Sequence, residues 1–244
     1  DPVQTHLANG LNLVFPWGER FFVRSVNHYR DQIDDETLLA QIRGFFGQEG
    51  SHAREHEAMM RVLEEQGFDL ESFLQFYRRS ASFIERRTPP SLRLAITAAL
   101  EHFTATLGER ALTLDHLDHA HPAMRTLLKW HAAEEIEHKA VAFDVLQKVA
   151  PSYRLRLLGL GFATTLLLFY WAVATTSLLR QDDVRASTAV RRMKEIRERE
   201  PIGREVFLKG ILDYVRRDFH PFDHDNIELA KAHLAQERLA PAAE

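Results

Sequence analysis

Two Glu-x-x-His steps, each preceded about one helix length earlier by a lone glutamate, constrain the fold of this chain more than any other feature. The residues of this near-repeat are Glu19, Glu49 and His52, followed by Glu101, Glu135 and His138. In a helix, the i, i+3 spacing directs both side chains of a step toward the same point. Such a pattern lets four helices place four carboxylates and two imidazoles around a pair of metal ions. The near-repeat therefore predicts a four-helix bundle with a two-metal centre.

The candidate ligands lie on the apolar faces of their predicted helices. Around the first step, Ile42, Phe45 and Leu63 recur at helical spacing in line with Glu49 and His52. An ionised carboxylate is costly to bury unless it is paired or bound to metal. Several carboxylates in one core would also take up protons unless a cation compensated their charge. Oxygen and nitrogen ligands without sulfur favour iron or manganese, and zinc less specifically.

The composition excludes several other classes of function. The chain has 244 residues and no cysteine, which excludes disulfides, thiolate zinc sites, iron–sulfur clusters and thiol catalysis. Its net charge is −4 and it has no long basic run, so nucleic acid is not an expected partner. No Ser-His-Asp order, phosphate loop or dinucleotide fingerprint stands out, so we predict no catalytic residue beyond the metal centre. No basic and apolar leader is visible, so we expect a cytoplasmic protein.

Glycine and proline are few and strand-like alternation is rare, so we predict an all-α fold. We expect one domain over 1–244, with the metal-binding bundle at 15–150, an apolar helix at 155–180 and a C-terminal helical extension at 184–235. Gly67 is suited to ending the second bundle helix. The predicted bundle helices are 17–30, after a loop containing Pro16, then 35–66, 92–117 and 123–149, with a short amphipathic helix at 70–84.

Residues 157–179 contain no charged side chain and are long enough to cross a membrane. Basic residues flank both ends, so the positive-inside rule gives no orientation. Three alternatives are open from the sequence: a helix buried on the bundle or in a homodimer, shallow contact with a membrane surface, and a true span. The buried helix is favoured over shallow membrane contact, and shallow contact is favoured over a true span.

On the six residues of the near-repeat, the chain resembles the ferritin-like di-iron carboxylate superfamily over about residues 15–150. The six fall in that superfamily's ligand order. The whole chain, with its apolar segment and its FHPFDHDN stretch at 219–226, also resembles the bacterial family called predicted metal-dependent hydrolase. The ferritin-like resemblance implies a four-helix bundle with additional C-terminal helices and two bound Fe ions, with Mn or Zn as alternatives.

Two further histidines lie one helical turn from the motif residues. His131 precedes Glu135 by four residues, and His56 follows His52 by four. The arrangement around His131 resembles the di-iron N-oxygenases of arylamine type, which carry an extra histidine ligand at that place. For both histidines the alternative is a core imidazole hydrogen-bonded to a carboxylate such as Glu134. We include both as candidate metal ligands.

The resemblance implies a non-heme di-iron oxygenase that hydroxylates or N-oxygenates a hydrophobic small molecule with O2. Electrons would come from an external reductase or ferredoxin, because no flavin or nicotinamide motif is present. The apolar segment and 16 phenylalanines favour a hydrophobic substrate. A two-metal hydrolase, in which the ions activate water, is the alternative enzyme. A non-enzymatic, ferritin-like metal-binding protein is the third interpretation.

Overall fold

The structure, a computed structural model, describes residues 1–114, 117–118, 120–199 and 201–239. The predicted all-α class is confirmed, since the regular elements of these residues are helical and none is a strand. In chain order the helices are α1 (Pro2–Asn12), α2 (Phe15–Asn27), α3 (Glu36–Glu65), α4 (Glu71–Arg87), α5 (Pro90–Thr113), α6 (Pro122–His138), α7 (Val141–Val149), α8 (Tyr153–Gln181), α9 (Ala186–Arg199), α10 (Lys209–Tyr214) and α11 (Ile227–Leu239), with 3-10 turns at Arg30–Gln32 and Pro221–Asp223 and a π-helical segment at Gly203–Leu208.

Four of these helices form a closed ring of contacts. α2 packs against α3 and α5, and α6 packs against the same two helices. Phe45 of α3 and Leu94 and Phe103 of α5 are fully buried in the main core, which extends from this ring. The ring matters for function because side chains from four separate helices can meet at its centre.

α3 begins and ends at residues whose chemistry fits those positions. The Asp35 carboxylate accepts hydrogen bonds from the backbone N–H groups of Thr37 at 2.8 Å and Leu38 at 3.0 Å. After the last turn Gly67 adopts a φ of +94°, a conformation that glycine reaches without steric cost. The prediction that Gly67 ends this helix is confirmed.

Two helix predictions are wrong in their bounds. The sequence predicts a loop containing Pro16 before the first bundle helix, but Pro16 lies in the first turn of α2. Residues Pro2–Asn12, for which no helix was predicted, form α1, which the Asp1 side chain caps. The predicted helix 123–149 is two helices, α6 and α7, which meet at Lys139 and Ala140. No glycine or proline lies at that junction, and the apolar periodicity continues across it. The sequence therefore gives no sign that the helix is broken there.

The apolar segment 157–179 lies within α8, and one face of α8 packs along α5. Gly159, Ala163 and Leu167 are buried on the packed side. By length and hydropathy α8 could cross a membrane, and 33% of its most apolar window is buried within the protein. α8 is therefore partly a core helix and partly an apolar surface. The large apolar side chains exposed on it are Leu158, Phe162, Leu168 and Phe169.

α8 approaches α5 so closely that Gly159 has no room for a side chain. A Cβ added there would lie 2.5 Å from the Ala95 carbonyl carbon. Gly159→Ala should lower the free energy of unfolding by about 1–3 kcal/mol, although alanine has the higher helix propensity. At Gly161 of the same helix an added Cβ meets nothing within 4 Å, so Gly161→Ala should stabilise by up to about 1 kcal/mol. Urea denaturation measures the free energy of unfolding of both variants. If the two substitutions changed it in the same direction, the close packing at Gly159 would be contradicted.

The last helix, α11, covers the outer side of α6. Ala133 and Ile136 of α6 form an apolar cluster with Ala230 and Leu234 of α11. Next to this cluster the buried Lys139 ammonium donates hydrogen bonds to the Asn226 side-chain oxygen at 2.5 Å and to a backbone carbonyl at 2.6 Å. The extension therefore holds the outer side of α6 in place. The inner side of α6 carries the second Glu-x-x-His step.

Candidate metal centre

The structure brings all eight candidate ligands together inside the ring. They are Glu19 from α2, then Glu49, His52 and His56 from α3, Glu101 from α5, and His131, Glu135 and His138 from α6. Each of them is at most 5% exposed. In four groups of three of these residues, one ligand atom from each residue lies within 4.8 Å of the others. That spacing is compact enough for each group to hold an ion.

One group consists of Glu49, Glu101 and His138. His138 Nε2 lies 3.1 Å from Glu49 Oε1 and 3.3 Å from Glu101 Oε2. The same nitrogen lies 3.7 Å from Glu135 Oε2. This position therefore offers several carboxylate oxygens and one imidazole nitrogen, a donor set suited to iron, manganese or zinc.

A second position lies toward α2. His52 Nδ1 is 3.4 Å from Glu135 Oε1, and His131 Nε2 is 2.8 Å from the same oxygen. His131 Nε2 also lies 3.9 Å from Glu19 Oε1. Glu49 belongs both to a group with Glu19 and His52 and to the group on the α5 side. Glu49 and Glu135 therefore lie between the two positions.

Most of the converging atoms have no hydrogen-bond partner among the described residues. These unpartnered buried atoms are both carboxylate oxygens of Glu19, Glu49 and Glu101, together with Glu135 Oε2, His52 Nδ1 and His138 Nε2. A buried polar atom without a partner costs about 1–3 kcal/mol, and more when it is charged. Divalent cations would compensate the whole set at once. The residues present therefore fit bound metal ions.

Without metal, the carboxylates of the centre compete for protons. Burial, reinforced by repulsion from neighbouring carboxylates, raises the pKa of Glu49 and of Glu101 well above the usual value. Burial would also raise the pKa of Glu135, but the hydrogen bond with His131 and the attraction of the nearby His138 imidazole outweigh it and hold that pKa well below the usual value. Burial alone would lower the pKa of His138, but the nearby Glu101 and Glu135 raise it to about 9.

His52 and His138 are each held through the ring nitrogen that faces away from the centre. His52 Nε2 donates to Glu134 Oε2 at 3.0 Å, and His138 Nδ1 donates to Gln48 Oε1 at 3.0 Å. With those protons in place, the inner nitrogen of each neutral imidazole keeps its lone pair for a metal ion. Partners of this kind fix the tautomer and orientation of histidine ligands.

His131 and His56 are joined in a buried chain of hydrogen bonds. His56 Nδ1 lies 2.6 Å from Asn12 Oδ1, and His56 Nε2 lies 2.8 Å from His131 Nδ1. With Asn12 Oδ1 as the acceptor, both Nδ1 atoms carry protons, and a metal ion would take the place of the His131 Nε2 proton that the Glu135 carboxylate accepts in its absence. This geometry favours His131 as a ligand. Both nitrogens of His56 are occupied by neighbours, which favours His56 as the residue that holds His131.

Three side chains at the centre were not predicted from the sequence. Asn12 lies in α1, which the sequence does not indicate, and Gln48 gives no signal beyond its place next to Glu49. The Phe15 ring lies 4.7 Å from the His56 ring and 5.3 Å from the His131 ring. All three depend on contacts between helices, which helical periodicity does not encode.

Gln48→Met tests how strongly the partner of His138 contributes to metal binding. The variant removes the acceptor and keeps a side chain of similar size. Loss of such a partner lowers metal affinity by about 10–100-fold, and competition with a chromophoric chelator measures that loss. Gln41→Met, on an exposed position of the same helix, should leave the affinity unchanged. Equal affinities for the two variants would show that Gln48 does not position His138.

An apolar cavity of about 220 Å³ reaches the centre between α1, α5 and α6. His56, His131 and Glu135 form part of its wall. A molecule in this cavity would contact the candidate ligands directly and displace water from them. The rest of the wall is chiefly apolar and includes Leu11, Phe15, Met59, Leu107, Met124 and Leu128.

Comparison with known proteins identifies the family of the chain. The model of the family described as predicted metal-dependent hydrolase matches residues 1–225, so the chain belongs to that family. No curated protein and no solved structure matches the chain.

Proposed function

We propose that this member of the predicted metal-dependent hydrolase family is a two-metal enzyme built on a ferritin-like four-helix bundle. The observation that carries the proposal is the convergence of buried, unpartnered carboxylate oxygens from four helices on the inner nitrogens of His52 and His138. α2, α3, α5 and α6 would form the bundle. The ions would be held by Glu19, Glu49, His52, Glu101, Glu135 and His138, with His131 as an additional ligand.

The reaction we propose is O2-dependent oxidation of a hydrophobic small molecule. When bound, a reduced pair of iron ions supplies the electrons that activate O2. The residues of this chain provide a dry site and fixed ligand geometry. Leu107 and Leu128 in the cavity wall bind apolar substrate and exclude water, while His56 holds the imidazole of His131. Electrons would come from a separate reductase or ferredoxin.

Metal-dependent hydrolysis is the second candidate, and the family description favours it. In that reaction the ions would activate water and polarise a carbonyl or phosphoryl oxygen. The chiefly apolar wall around His131 and Glu135 supports the first candidate, because it supplies few groups to bind a polar, hydrolysable substrate. Both candidates require the same metal centre.

Metal analysis combined with O2 consumption separates the two candidates. Iron-loaded protein, reduced without O2 and then mixed with O2, should consume O2 in proportion to the protein concentration. Glu135→Ala should abolish that consumption together with metal binding. Ester hydrolysis by the zinc-loaded protein, with no O2 uptake by the iron-loaded form, would overturn the oxidation and favour the hydrolase.

A further inference from the structure

A second apolar cavity, of about 100 Å³, lies between α2, α4, α5 and α8. We call it the outer cavity, and the cavity of about 220 Å³ at the metal centre the inner cavity. Two cavities that share lining side chains lie next to each other, so a ligand that displaced the shared side chains would reach from α4 to the candidate ligands. The side chains that line both are Leu11, Phe15, Thr104 and Leu107.

The wall of the outer cavity is apolar along most of its length. Trp17, Leu100 and Leu166 contribute large apolar surfaces to it. The Tyr77 hydroxyl, which belongs to another lining residue, donates to the Val14 carbonyl at 3.1 Å and is therefore occupied. A ligand in this space would gain affinity mainly from the apolar surface that it buries.

Phe15 lies where the two cavities meet. Its side chain lines both of them, and its ring packs against the imidazoles of His56 and His131. A junction bordered by an aromatic ring, between two small chambers, suits a flexible and unbranched chain. A rigid ring system of similar mass would have to occupy one chamber alone.

The far end of the outer cavity is bordered by polar groups. Glu85 and Thr88, at the end of α4, line it there. The Arg24 guanidinium donates two hydrogen bonds of 2.9 Å to the Glu85 carboxylate and lies 5.5 Å from the Trp17 ring centroid. A polar head group would meet this partly exposed ion pair and water, while the chain behind it would be enclosed by apolar side chains.

We propose that the two cavities together bind one unbranched alkyl chain, with its polar head group at Arg24 and Glu85 and its methyl end beside His131 and Glu135. This names the substrate class of the proposed metal centre. Binding of the alkyl chain does not depend on the proposed function. Only the oxidation of its methyl end at the metal centre rests on that function.

Isothermal titration calorimetry with n-alkanoic acids, from hexanoic to tetradecanoic acid, tests the proposal on the full chain. Affinity should rise about fourfold for each added CH2 until both cavities are filled. Ala81→Trp fills the outer cavity, which Ala81 lines, and should weaken tetradecanoic acid binding by about tenfold or more, which corresponds to two or more lost CH2 groups. Ala172→Trp, on the exposed side of α8, is the matched control and should bind like the wild type.

Fluorescence quenching tests the orientation of the chain in the two cavities. Because Trp17 lines the outer cavity, 2-bromododecanoic acid, with bromine next to the head group, should quench the protein more strongly than 12-bromododecanoic acid does in a Trp130→Phe background, which lacks the indole ring 5.1 Å from the His52 ring. Trp17→Phe should remove the difference between the two acids, whereas Trp171→Phe should preserve it.

Two results would overturn the inference: an affinity that does not increase with chain length, or equal quenching by the two bromo acids. Binding of compact 1-adamantanecarboxylic acid as tightly as decanoic acid would also contradict it. The metal content of the same samples is measured throughout. Loaded metal without chain binding refutes only the alkyl-chain site, and chain binding without metal refutes only the proposed metal centre.

Discussion

Glu49→Ala should abolish binding of both metal ions, because Glu49, like Glu135, lies between the two proposed positions. Glu101 belongs to the group on one side only, so Glu101→Ala should release one ion and retain the other. Metal analysis after reconstitution with excess iron and gel filtration gives the stoichiometry. The expected order of metal content is wild type above Glu101→Ala above Glu49→Ala.

Two comparisons keep this result interpretable. Glu55→Ala, on an exposed position of the same helix, should retain the full metal content. Without metal, Glu49→Ala should be no less stable than the wild type, because it removes a buried carboxylate whose pKa burial has raised. If Glu49→Ala folded and kept the wild-type stoichiometry, Glu49 would not be a shared ligand.

Removing the metal should destabilise the protein by an amount that grows as the pH rises from 6.5 to 8. In the metal-free folded protein Glu101 and Glu135 hold the pKa of buried His138 at about 9, whereas the unfolded chain releases that proton near 6.5. The folded state then binds more protons than the unfolded state, so stability falls by about 1.4 kcal/mol per pH unit for one proton. The raised pKa of Glu49 acts in the same direction.

Groups with lowered pKa values change the stability in the opposite direction, and they do so outside the range from pH 6.5 to 8. Burial lowers the pKa of His56 and of His131, so their contribution to the pH dependence ends at about 6.5, the ordinary pKa of histidine. Burial lowers the pKa of Lys139 to about 8, so its contribution begins there. A metal-bound His138 nitrogen has no place for the second proton, so the metal-loaded protein should lack the slope.

Urea denaturation at pH 6.5 and 8.0, with excess metal or with chelator, measures this dependence. The stability difference between loaded and metal-free protein should widen by about 2 kcal/mol across the window. His138→Gln should reduce the slope of the metal-free protein, and the raised pKa values of Glu49 and Glu101 should maintain the remainder. Parallel pH profiles with and without metal would contradict the place of His138 in the centre.

The sequence predicted the helices of the ring and the meeting of the candidate ligands because both follow from local geometry. A Glu and a His three residues apart must share a helical face, and the apolar stripe around Glu49 and His52 indicates that this face is buried. Gly67 ends α3 where its conformational freedom predicts. The convergence of four helices then follows from burying four such faces together.

What the sequence did not predict depends on contacts between distant segments. α1 has few large apolar residues, and it is held by α8, where the Trp171 indole N–H donates to the Leu7 carbonyl at 2.7 Å. The chain from Asn12 through His56 to His131 joins three helices. The break between α6 and α7 at Lys139 coincides with hydrogen bonds to residues far along the chain. None of these contacts leaves a periodic signal.

Anomalous X-ray diffraction at the iron absorption edge, from crystals of iron-loaded protein, tests the metal centre most directly. We expect two anomalous peaks per chain inside the ring of α2, α3, α5 and α6, each in contact with Glu49 or Glu135. Crystals with measured iron content that show a single peak in the ring, or peaks only at surface histidines, would contradict the two-metal centre.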